Sequence, residues 1–190
     1  MHHIYHTDAF ILGSRPAGED SRMITLYTKE LGLVRAHAQG VRKLASKLRY
    51  VLQDFSHVHI DLVRGKEIWR VTTALPHTNT RHLSIEAETI MARIASLVVR
   101  LVTGEEASAD IFSALSRAYD LLGSKTHTPE EYRMLELLSV ARILVALGYL
   151  PRTILSSSHD ESEIPDALKD VSYQHALIRD INMALSASQL

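Results

Sequence analysis

Four cations fall within eight residues of this chain: Arg42, Lys43, Lys47 and Arg49, with only Leu44, Ala45, Ser46 and Leu48 between them. A loop or a single helical turn fans such a group toward one chain of phosphates. Each neutralised phosphate releases counterions, so binding of this kind is steeply salt-dependent and indifferent to base sequence. Arg35 and His37, at i and i+2 just upstream, share a face if the segment is a strand. Arg15, Arg22, Arg64, Lys66 and Arg70 would extend the basic surface. Tyr50 follows the cluster directly and is the best placed ring for base stacking; Tyr27, Phe55 and Trp69 are other aromatics of the same region, with Phe55 and Trp69 in apolar runs that suit packing. The plain alternative is a solvated loop with incidental charge.

Other chemistries find less support. There is no GxxxxGK[ST] phosphate loop, no GxGxxG and no GxSxG elbow, which argues against nucleotide-driven motors and serine hydrolases. Glu105 and Glu106 read as helix-start or surface charge. Eleven histidines raise the question of a metal. His57 and His59 are placed to share one side of a strand, and His2, His3 and His6 cluster near residue 1, but there is no cysteine, no HExxH and no neighbouring acidic set, so no metal centre or cofactor is expected.

The elements that must carry the cations follow from periodicity. Alternating or short apolar runs give five strands, at 4–13, 22–28, 32–40, 51–62 and 67–75. The loop Arg15–Asp20, the Glu30-Leu31-Gly32 turn and the Arg64-Gly65-Lys66 turn separate them, and the third link, Val41–Tyr50, is longer and basic. This is an α+β chain: five short strands with a long link after the third match an OB-type barrel, with an SH3-like barrel as rival. After Pro76 the period becomes helical. Helices are expected at 84–103 with Ser84 as N-cap, at 107–122, from Thr128-Pro129-Glu130-Glu131 to Leu147, and at 166–187, with a serine-rich loop at 151–165. The expected domains are therefore 1–80, a nucleic-acid-binding barrel, and 81–190, a helical domain.

Charge divides the same way. Residues 1–80 hold 11 Lys and Arg against 7 Asp and Glu, a net +4, while residues 81–190 hold 10 against 15, a net −5. Such asymmetry suggests that the barrel meets an anion and the helices meet something else. Absence of cysteine, of a signal-peptide pattern and of a long apolar run gives the expectation of a cytoplasmic protein with no membrane contact.

An ordered set of short segments resembles the RecO family of bacterial recombination mediators. It comprises Leu12-Gly13-Ser14-Arg15, Gly18-Glu19-Asp20-Ser21-Arg22, Thr28-Lys29-Glu30-Leu31-Gly32, Gly40-Val41-Arg42-Lys43, Ser46-Lys47-Leu48-Arg49, Leu52-Gln53-Asp54-Phe55 and Arg64-Gly65-Lys66. Tyr132–Leu138 and Leu147-Gly148-Tyr149-Leu150-Pro151 continue it into the helices. The likeness covers residues 8 to about 75 well and 84–151 loosely. It implies an OB barrel joined to a helical domain and a noncatalytic protein of DNA repair. Such a protein binds single- and double-stranded DNA, anneals strands and works with a RecR-like protein and the tail of a single-stranded-DNA-binding protein to load the recombinase. Many members carry a four-cysteine zinc motif just after Gly-Tyr-x-Pro; here Pro151 leads into RTILSSSHDESEIP, and fewer helices follow than in relatives. Two other readings remain: an adaptor whose helices bind partners while the barrel is a scaffold, and an RNA-binding barrel.

Overall fold

Strand β1 (Ile4–Pro16) is long enough to pair twice, and that closes the sheet. Its first half runs antiparallel to β4 (His57–Arg64), from Ile4 opposite Val63 to Phe10 opposite His57, and its second half to β2 (Arg22–Thr28), with a bulge between Ile11 and Gly13 that lets the strand bend. Strand β2 pairs antiparallel with β3 (Gly32–Ala38), β4 with β5 (Trp69–Pro76), and β3 closes on β5 through a short parallel contact, Ala36 to Trp69 and His37 to Arg70. The computed structural model describes residues 3–78, 80–155 and 169–187. Its closed order β1-β2-β3-β5-β4, with a helical turn between β3 and β4, is the OB topology rather than an SH3-like one.

Alternation decides the interior. Ala9, Ile11, Ile24, Leu26, Val34, Ala36, Val58, Ile60, Leu62 and Trp69 face inward and are at most 3% exposed. One end of the barrel is plugged by the β3–β4 link, which holds α1 (Leu48–Val51) and buries Val41 and Leu52 in the same core. The expected fourth strand, 51–62, therefore starts six residues late. Leu48, Val51 and Leu52 stand at i, i+3 and i+4, a helical and not an alternating pattern, and the residues after them turn at Phe55, whose φ is +65°. Strand β1 also runs past residue 13 to Pro16, and β3 stops at Ala38.

Cα packing divides the chain into two compact units, Met1–Arg81 with Ala95–Ala109, and His82–Ile94 with Asp110–Leu190. The helices are α2 (Ile85–Leu101), α3 (Ala109–Leu122), α4 (Pro129–Ala146) and α5 (Val171–Ala187). Ser84 caps α2, accepting from the Ala87 amide at 3.2 Å. Thr128 and Glu131 form a reciprocal capping box on α4. Helix α4 buries residues around most of its circumference, from Tyr132 and Leu135 to Ala141 and Leu144, and so lies at the centre of the second unit, where α5 packs on it through the face bearing Leu177, Ile181 and Ala184. Residues 152–155, expected as loop, form a 3-10 turn. The remainder of that loop and the start of the expected last helix, 156–168, lie outside the described residues. Among the described residues no helix is long and apolar enough to cross a membrane.

Candidate nucleic-acid interface

Plugging the barrel with Val41 and Leu52 forces the charges between them outward. Arg42, Lys43, Lys47 and Arg49 are all exposed, Lys47 as the residue that opens α1 and Arg49 within it. The segment is braced and not loose. The Arg42 amide donates to Asp20 O at 2.9 Å and its guanidinium to Gly18 O at 3.3 Å, while Lys43 Nζ lies 3.6 Å from the Asp20 carboxylate. Behind α1, Gln53 donates to the Arg49 carbonyl, and Ser14 donates to Asp54 at 2.8 Å. The basic link and the β1–β2 loop thus form one continuous rim. Asp20 offsets part of the charge of Lys43, whereas the Arg42 guanidinium meets only a neutral carbonyl.

Strand register adds a second set of cations. Arg15 pairs with Met23, Met23 with His37, and His37 with Arg70, so these four residues form one row across β1, β2, β3 and β5. Arg35 stands two residues from His37 on the same outer face, and Arg15, Arg35 and Arg70 are exposed. Arg22, half-buried, pairs with Ala38 at the end of the β2–β3 ladder. Lys66 is exposed in the β4–β5 turn. The outer β2–β3 face together with the β1–β2 and β4–β5 loops is where OB barrels hold oligonucleotides.

Arg64 is engaged differently from the rest. Its guanidinium carbon lies 5.4 Å from the centroid of the Trp69 ring and its nitrogen 3.6 Å from Glu105, so it is partly committed within its own unit. Glu105 is neither a helix start nor a bare surface charge: it also accepts the Trp69 indole N–H at 2.8 Å, and α3 begins only at Ala109. Trp69 is core, as its apolar run suggested. Tyr27 is fully buried, its hydroxyl donating to Ser108 O at 3.5 Å, and burial pushes its pKa up. Phe55 is half-buried. Tyr50, 75% exposed beside the cations, is the ring free to stack, and Leu44 stands out beside it at 86% exposure. Sequence spacing does not mark Leu44, since it stands four residues before Leu48, in step with the apolar pattern, and yet it is exposed.

The histidines also come together in a way linear spacing did not show. His57 and His59 do share a side of β4, but His57 is buried, stacked between Phe10 at 4.1 Å and His77 at 3.8 Å. Burial, with His77 beside it, lowers the His57 pKa to about 4. His59 is exposed and meets Asp8 of β1 and His77 beyond β5.

Similarity to known proteins agrees with this geometry. Residues 1–79 match the family model described as Recombination protein O N terminal. The chain is 34% identical over 154 residues to the DNA repair protein RecO of Heliobacterium modesticaldum, an alignment covering 80% of this chain and 54% of that one. It is 34% identical over 151 residues to the DNA repair protein RecO of a Roseiflexus species, covering 78% and 52%, and 30% identical over 152 residues to that of a Nocardioides species, covering 78% and 61%. The chain spans about half the length of the curated relatives it matches.

Proposed function

Because this chain belongs to the RecO family, we propose that it is a noncatalytic DNA-binding protein of repair and homologous recombination. It acts in the cytoplasm, binds single- and double-stranded DNA, anneals complementary strands and assists recombinase loading beside a RecR-like partner. The observation that carries this reading is the registered row of Arg15, His37 and Arg70, with Arg35 beside it, on the outer face of an OB barrel whose β3–β4 link presents Arg42, Lys43, Lys47 and Arg49.

Mechanism follows from electrostatics. Two single strands repel through their phosphates; cations along a barrel face lower that repulsion and hold both strands at high local concentration. Tyr50 and Leu44 offer stacking and apolar contact that any base accepts, so the surface holds bases without reading them. Pairing itself then supplies the specificity, and no bond is made or broken by the protein.

A strand-annealing assay at two salt concentrations tests the reading. The wild-type chain accelerates annealing at low salt and less so at high salt, and joint alanine substitution of Arg42, Lys43, Lys47 and Arg49 removes most of the acceleration. Annealing unaffected by both changes would overturn it. Competition between DNA and RNA oligonucleotides of one sequence separates the RNA-binding alternative.

A second reading concerns the partner. In the helical unit, Ile85, Ile90, Pro129 and Tyr132 line a groove of ≈ 520 Å³ whose charged residues are Arg93 and Arg133 with Glu86 and Glu136. Its apolar floor suits the hydrophobic part of the acidic-hydrophobic tail of a single-stranded-DNA-binding protein; Glu136 takes Arg93 through both oxygens at 3.0 and 2.9 Å, so Arg133 is the cation left for the acidic part. Titration with the tail peptide gives saturable binding that Arg133→Glu weakens; no binding would remove this docking site. Partner binding without DNA affinity would favour the adaptor alternative.

A further inference from the structure

On the outer surface of β1, β4 and β5, cross-strand pairing sets a carboxylate and two imidazoles side by side. Asp8 pairs with His59, and the chain leaving β5 places His77 next to them, its amide donating to His57 O at 3.1 Å. One donor atom from each of Asp8, His59 and His77 lies within 4.8 Å of the other two. The His77 ring is held by stacking on His57 at 3.8 Å and 11°, which in turn stacks on Phe10, and it stands 4.6 Å from the His59 ring. Asp8 faces His59 Nδ1. The side chains of His59 and Asp8 are 47% and 26% exposed, so an ion reaches them directly from solvent.

We propose that Asp8, His59 and His77 bind a divalent cation of the Zn²⁺ class, fastening the residue just beyond β5 to β1 and β4. Two imidazole nitrogens and one carboxylate oxygen are the donors of borderline transition ions; Mg²⁺ and Ca²⁺ prefer oxygen alone. Zinc with ligands at about 2.0–2.2 Å in a tetrahedron brings donors to roughly 3.4 Å apart, so the three donors, within 4.8 Å of one another here, close in when the ion binds. Imidazole ligates through an unprotonated nitrogen, so binding weakens in acid. A fourth position is left to water. Along the same ladder His6 and Asp61 pair at 2.6 Å. That pair supplies the comparison, with the same residue types and without His77.

The test is titration of the chelator-stripped full chain with Zn²⁺ alone by calorimetry, with Co²⁺ absorption reporting the ligand geometry. One equivalent binds saturably and raises the melting temperature. His59→Gln and His77→Gln each weaken it at least tenfold, while joint replacement of His2, His3 and His6 by Gln leaves that affinity unchanged. Circular dichroism in chelator confirms that the variants are folded, and exposed His59 supplies the decisive variant should His77→Gln lose its fold. Absence of saturable binding, binding that survives His59→Gln, or binding abolished with the three N-terminal histidines would each overturn the site. Loss of DNA binding would not bear on it.

Discussion

Gly32 carries a constraint that a single methyl group exposes. Its φ is +70°, and a Cβ there would stand 2.2 Å from the carbonyl oxygen of Glu106, a backbone atom that cannot swing aside. Gly18, at φ +81°, has nothing within 4 Å of the same position. Gly18→Ala therefore costs the left-handed conformation alone, about 1–2 kcal/mol, whereas Gly32→Ala costs clearly more, and thermal unfolding of the two variants should separate them. Equal losses would mean that the approach of Glu106 is not tight. At the interface, Tyr50→Ala should weaken single-stranded DNA binding by about 1–3 kcal/mol in a fluorescence anisotropy titration, with Tyr50→Trp retaining affinity. Asp20→Asn, which frees Lys43 from its counter-charge at 3.6 Å, should tighten binding modestly.

At the scale of elements, the β3–β4 link is a plug that happens to carry charge. Leu52 is fully buried in the barrel core, so Leu52→Ala should destabilise the barrel by about 2–5 kcal/mol and loosen the basic link with it. In the helical unit, Thr128→Ala should cost about 1 kcal/mol through loss of the capping box on α4. The hydrogen bond from the Thr128 amide holds the Glu131 carboxyl below its ordinary 4.5, so its stabilising effect is present above that pH and lost as pH falls through the lowered value. The difference in melting temperature between wild type and Glu131→Ala should accordingly shrink on acidification. Much of this architecture was legible in sequence: β2 falls on 22–28 residue for residue, and Thr128-Pro129-Glu130-Glu131 announced the start of α4. The fourth strand was misread because Val51-Leu52 joins His57–Leu62 in one apolar-rich run, and only the closure of the barrel assigns the first part to a plug. Cross-strand neighbours were hidden for a related reason. Arg70 beside His37, and His77 beside Asp8, depend on the β3–β5 and β4–β5 register, which no local spacing encodes.

For the whole molecule, the near-zero net charge of −1 conceals a barrel-side +4 and a helical −5, and the proposed division of labour between DNA and partner rests on it. The +4 is modest, so function depends on where the cations stand: along one row of the sheet and on the rim formed by the link and the β1–β2 loop. Affinity for single-stranded DNA measured across salt concentrations tests this most directly. The logarithm of affinity should fall linearly with the logarithm of salt, and alanine at Arg42, Lys43, Lys47 and Arg49 should flatten the slope by up to about 3, roughly 0.7 for each phosphate no longer neutralised. A variant that keeps the wild-type affinity and slope would contradict the assignment of this face to DNA.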